Sequence, residues 1–165
     1  MRLHQTLLYA IMNHEFGTID KLIDHGLDLN AYEMSPLIDA MDYNAPDMLE
    51  YLLARGADPN HQTEDGLSPL FYVFDSENPL IFARILLSRG ADPNLQDRDG
   101  DTVLMKIIRD HQFRRDLSGT VADVVLLLLR HGADLDEIQN NDGDTVRRLA
   151  RSHPSVLSRS IAPRE

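Results

Sequence analysis

Three kinds of residue in this chain have types and spacings that could do chemistry: seven histidines, a run of alternating aspartates, and hydroxyl side chains ahead of apolar runs. Asp97, Asp99 and Asp101 repeat the Asp-x-Asp-x-Asp opening of a calcium loop. Such a loop needs a bidentate glutamate at its twelfth position, which here is Ile108, so a tight turn explains the aspartates better. The histidines, at positions 4, 14, 25, 61, 111, 131 and 153, include no pair at metal-ligand spacing. His25 and His131 each stand between an aliphatic run and a glycine, where a donor or cation at a helix end accounts for them. No Gly-x-Ser-x-Gly, phosphate-binding glycine loop or His-Glu-x-x-His occurs, and the absence of cysteine removes disulfides and thiolate chemistry. The sequence therefore leads us to expect no catalytic residue, no metal and no cofactor.

The elements that hold these residues follow from a recurring phrase. His25-Gly26-Leu27-Asp28-Leu29-Asn30 returns as Arg55-Gly56-Ala57-Asp58-Pro59-Asn60, as residues 89–94, and as His131-Gly132-Ala133-Asp134-Leu135-Asp136. The glycines lie 30, 34 and 42 residues apart, a period that signals stacked helical repeats. An aliphatic run ending in a basic residue and then Gly is a helix C-terminus, because Gly accepts the left-handed conformation and a cation complements the carbonyl end. Twelve or thirteen residues further on come Ser68-Pro69-Leu70, Thr102-Val103-Leu104 and Thr145-Val146, each read as a helix N-cap. Between the two signals lie Asp65-Gly66, Asp99-Gly100 and Asp142-Gly143, the dipeptide of a tight hairpin turn. Asn44-Ala45-Pro46-Asp47 and Glu77-Asn78-Pro79-Leu80 mark the starts of second helices. The unit is helix, helix, projecting turn.

These residues resemble the ankyrin-repeat family: Ser35-Pro36-Leu37, Leu52-Leu53, Gly56 to Asn60 and Asp65-Gly66 match its pattern, which recurs through residues 68–100 and 102–143. The resemblance implies an all-α solenoid of four repeats plus a C-terminal capping unit. We expect a single domain, residues 1–165, with repeats at about 1–31, 32–62, 63–96 and 97–139 and a cap at 140–162. Three departures stand out. The family's histidine three residues after the helix-start hydroxyl is replaced by Tyr9, Ile38, Phe71, Met105 and Arg148, so we expect side-chain burial rather than ordered hydrogen bonds to tie repeats together. The first hairpin, Ala31 to Met34, is short and should project little. Arg147, Arg148 and Arg151 suit an outward-facing terminal cap.

Up to Asp144 the chain carries 26 acids and 11 bases, while residues 145–165 carry five arginines and one glutamate. An acidic body is repelled by phosphates and anionic membranes and attracted to basic proteins. No apolar stretch is long enough to span a bilayer and no secretory signal is apparent, so the expected compartment is the cytoplasm. The resemblance implies a protein-binding module, monomeric when alone, whose concave face of turns and first helices meets the partner. That face should display Asp42, Tyr43, Glu64, Asp65, Leu67, Asp75, Ser76, Arg98, Asp99, Asp101, Arg109, Asp110, Asn141, Asp142 and Asp144, with Tyr43 and Leu67 as anchors. A nine-residue insertion near residues 111–120 adds Phe113, Arg114 and Arg115 as candidates, either lengthening the paired helices or forming a finger. The resulting expectation is a non-catalytic inhibitor, adaptor or immunity-type protein for a basic partner. A secreted effector acting on host proteins and a self-assembling scaffold are the alternatives.

Overall fold

The computed structural model describes residues 2–31, 35–110 and 119–152. Among these every regular element is helical: α1 (Arg2–Met12), α2 (Phe16–Asp24), α3 (Pro36–Asp42), α4 (Pro46–Ala54), a 3₁₀ helix (Pro69–Asp75), α5 (Pro79–Ser88), α6 (Val103–Arg109), α7 (Gly119–Arg130) and α8 (Val146–Ser152). The chain divides into two compact units, Met1–Ala91 and Asp92–Glu165.

The recurring phrase ends four helices in the same way. Gly26, Gly56, Gly90 and Gly132 have φ between +88° and +96°, beyond the usual reach of a side chain with Cβ. At each, the glycine N–H donates three residues back and the next N–H donates five back, as in Leu27 to Leu22 (2.9 Å) and Ala57 to Leu52 (3.0 Å). These two bonds satisfy carbonyls that a helix end would otherwise leave open. The aspartate two residues beyond the glycine then accepts the N–H of the phrase's last residue, at 2.8–2.9 Å in all four copies.

Starts are set by proline. Pro36, Pro46, Pro69 and Pro79 occupy the first helical position, where a missing N–H costs nothing. The hydroxyls in front of them do not cap as expected. Ser35, Ser68 and Thr102 stand at N-cap positions without a side-chain cap bond, and Ser68 Oγ and Thr102 Oγ1 are buried with no partner among the described residues. Only Thr145 reaches forward, accepting the Arg148 N–H at 3.2 Å. The segment after Ser68 is a 3₁₀ helix rather than an α-helix. Its run of Phe71, Tyr72, Val73 and Phe74 loses rotamer freedom in an α-helix, and Ser76 Oγ closes it on the Val73 carbonyl at 2.6 Å.

In the first unit α1, α3 and the 3₁₀ helix pack in one row, with their partners α2, α4 and α5 behind. Leu7, Ile11, Ile19, Met41, Met48, Leu49, Leu52, Leu70 and Leu86 fill the space between the rows. Tyr51 of α4 adds a polar strap, its ring edge-on to Phe16 at 4.7 Å and its hydroxyl donating to Asp20 at 2.5 Å. In the second unit α8 packs on α6, whose Val103, Leu104, Met105, Ile107 and Ile108 are buried. Val121, Val124, Val125 and Leu128 form the buried side of α7. Gly119 and Thr120, the last residues of the inserted stretch, belong to the first turn of α7. Phe113, Arg114 and Arg115 lie outside the described residues, as does most of the first hairpin.

Two sequence expectations need correction. His14 and Asn44, both at positive φ, occupy equivalent loops between paired helices, 30 residues apart. Counting back from them makes Leu8, not Tyr9, the counterpart of Ile38. Nor is burial alone what ties repeats together. Asn30, Asn60 and Asn94 each donate Nδ2 to the glycine carbonyl of the next phrase, Gly56, Gly90 and Gly132, at 2.9–3.0 Å. Asn30 and Asn94 also accept the N–H of Asp58 and Asp134 at 2.7 Å. The ladder that histidine does not build is built by asparagine.

Candidate functional site

The turns carry most of the candidate residues, and their backbone is uniform. Gly66, Gly100 and Gly143 have φ of +75° to +78°, while the aspartates before them keep negative φ. Each turn is therefore closed by a glycine N–H to a carbonyl three residues back, with a second bond spanning five residues: Thr63 to Leu67, Asp97 to Asp101 and Asn140 to Asp144, all 3.0 Å. A type I turn followed by a left-handed residue fits this pattern. The residue opening each turn caps it from within. Thr63 Oγ1 accepts the Leu67 N–H, Asp97 Oδ1 accepts those of Asp99 and Asp101, and Asn140 Oδ1 those of Asp142 and Asp144.

In the second unit two of these turns are stitched to each other and to α6. Asn141 donates its N–H to the Asp99 carbonyl at 3.0 Å and its Nδ2 to the Arg98 carbonyl at 2.9 Å. A Cβ on Gly100 would lie 2.8 Å from Asn141 N, so the two turns approach as closely as backbone allows. Asp101 is buried, a correction to its expected place on the surface, and accepts Asn140 Nδ2 at 2.7 Å and Arg109 Nη1 at 2.7 Å. Arg109 bridges onward to Asp142 at 3.0 Å, and Lys106 Nζ lies 2.8 Å from Asp97 and 3.5 Å from Asp99. Hydrogen bonds and charge from Asp101 raise the Arg109 guanidinium further above its ordinary value. The aspartates that resemble a calcium loop thus close on an ammonium and a guanidinium of the same chain. Lys106, one of only two lysines, was the sequence signal for this neutralisation.

The first unit differs. Asp42, Tyr43, Glu64, Asp65 and Asp75 are exposed, Tyr43 at 43 %. Leu67 and Ser76 are half-buried. Asp39, which the sequence reading overlooked, sits one turn before Asp42 on α3. Burial first, and Asp42 as well, raise the Asp39 carboxyl above the usual aspartate range, while His4 draws it down. Burial and then the charge of Asp75 raise Asp42 in the same direction. None of the three is ion-paired to a lysine or arginine among the described residues. On α1 the equivalent places, 30 residues earlier, hold Tyr9 and Met12, exposed at 58 % and 47 %. The face is therefore mixed: carboxylates without a lysine or arginine partner among the described residues, beside tyrosine and methionine.

The remaining candidates serve the second unit. Arg98, Asp99, Asp110, Asn141 and Asp142 are exposed, whereas Asp144 is half-buried and pairs with Arg148 at 2.9 Å. Arg147 departs from a free outward cap, since it clasps Asp136 through two bonds of 2.6 and 2.9 Å. Asp136 stands where the other phrases have asparagine, and the Arg147 hydrogen bonds hold its carboxyl below the usual range.

Among the described residues no helix is long and apolar enough to cross a membrane, and no cluster of ligating side chains could hold a metal ion. Family models for ankyrin repeats match residues 22–73 (many copies) and residues 48–138 (three copies), the second spanning more than half of the chain. No curated protein matches it. Proteins of this kind are in general non-catalytic interaction modules. With paired helices, left-handed glycine ends, asparagine ladder and projecting turns in place, the chain belongs to the ankyrin-repeat family.

Proposed function

We propose that the protein captures a basic protein through the first-helix and turn face of its first unit, acting by occupancy as an inhibitor, adaptor or immunity-type subunit. The observation that carries this reading is the contrast between the two sets of acids. Asp97, Asp99, Asp101 and Asp142 are met by Lys106 and Arg109. Asp39, Asp42 and Asp75 have no lysine or arginine partner among the described residues: burial and neighbouring carboxylates raise Asp39 and Asp42, and only His4 acts against this, at Asp39. A lysine or arginine of a partner would relieve that repulsion, and Tyr43, Tyr9 and Met12 supply apolar area around it. The test is co-purification from the native host with mass spectrometry, followed by titration of the identified partner. Asp42→Asn with Asp75→Asn is expected to weaken binding about tenfold or more and to reduce its salt dependence. An acidic partner, or unchanged affinity in the double variant, would refute the proposal.

A further inference from the structure

On the other row of the first unit, away from the turns, α4 and α5 flank a groove. It is lined by Pro46, Asp47 and Glu50 from α4 and by Leu80, Ile81, Arg84 and Ile85 from α5, so the acids come from one helix and the base from the other. Ile81 is 48 % exposed. Asp47 is engaged by His14 at 3.1 Å, and the Glu50 backbone carbonyl accepts Arg89. The Glu50 carboxylate and the Arg84 guanidinium, though they line the same groove, form no ion pair with each other or with any other described residue.

We infer that this groove is the seat of a weak, two-fold symmetric contact with a second copy of the chain. Acid on one helix and base on the other is a pattern that complements itself. A two-fold axis through the groove brings α4 of each copy over α5 of the other, so Glu50 meets Arg84 twice and the two Ile81 side chains cover each other's apolar lining. A uniformly basic partner would leave Arg84 facing like charge, and a uniformly acidic one would leave Asp47 and Glu50 opposed. The second copy satisfies both helices. The groove is small beside a standard interface, so the dimer forms only at high concentration, and the turn face stays open in either state.

Sedimentation velocity of the full chain from about 5 μM to about 500 μM brackets an association of this strength. The expected result is a reversible monomer–dimer equilibrium that Ile81→Asp removes. Glu50→Arg alone and Arg84→Glu alone each weaken association about tenfold or more, and the double swap returns it to within about threefold of the original. The swapped positions are exposed, and the double variant has the composition of the parent, so loss of folding does not mimic the pattern. A monomer throughout the range, single swaps without effect, or a double swap as weak as the singles would overturn the inference. None of those outcomes bears on capture of a basic protein by the opposite row.

Discussion

At the scale of single residues, charge on this protein is handled in two ways, and each has a measurable signature. Asp39 and Asp42 hold their protons more tightly in the folded chain than in the unfolded one. Just above the ordinary aspartate range the folded state therefore binds more protons, and stability falls as pH rises through that window. Replacing both by asparagine is expected to raise the thermal midpoint at neutral pH and to flatten that decline, read by calorimetry across the acidic range. Asp101 is held by direct contacts instead: its buried carboxylate accepts hydrogen bonds from Arg109 and Asn140. Arg109→Ala removes one of these and should cost about 1–3 kcal/mol in urea unfolding, discounted because the guanidinium is half exposed. The buried hydroxyls give a third contrast. A helix N-cap serine normally loses about 1 kcal/mol on replacement by alanine, but Ser68 makes no cap bond. Ser68→Ala is accordingly expected to be neutral or stabilising.

At the scale of elements, glycine and asparagine do different work at the two ends of the repeat. Gly56 needs its φ of +96° to reverse the chain after α4, but space around it is open. Gly100 needs both its φ and the absence of a Cβ, which would meet Asn141 N at 2.8 Å and Asn140 Cα at 2.9 Å. Gly56→Ala should cost about 1–2 kcal/mol from backbone strain alone, and Gly100→Ala measurably more in the same denaturant series. Equal losses would contradict the stitched turns. Asn60→Ala, which removes the bond to the Gly90 carbonyl, is expected to cost about 1 kcal/mol. The helix ends, proline starts and turn positions were all legible in the sequence, because each depends on a local backbone preference. The inter-repeat tie was legible only in part. A missing histidine suggested an absent network, whereas the asparagine closing three of the four phrases was the positive signal for the ladder. The 3₁₀ segment and the shifted register of α1 escaped because nothing local marks them. The register of α1 follows from the position of the His14 loop.

At the scale of the whole molecule, the sequence showed an acidic body but not which acids are compensated. Counting charge treats Asp42 and Asp101 alike; folding buries one against arginine and leaves the other facing Asp75. That distinction moves the expected binding energy from a list of acidic positions along the chain to α1, α3, the 3₁₀ helix and the turn from Thr63 to Leu67. Tyr43, exposed at the end of α3 next to Asp42, belongs to that surface, and Tyr43→Ala should reduce partner affinity about tenfold with little change in stability. Leu67 is half-buried with both backbone groups held by Thr63, and its expected role shifts from anchor to support of the turn.

The most direct measurement is a calorimetric titration of the partner recovered from the host, carried out at several pH values in the weakly acidic range. A cationic partner favours the ionised carboxylates, so binding should release protons and strengthen as pH rises through the window above the ordinary aspartate range, and Asp39→Asn with Asp42→Asn should abolish that release. Binding that takes up protons, or whose proton release persists unchanged in the double variant, would contradict capture of a basic protein by this face.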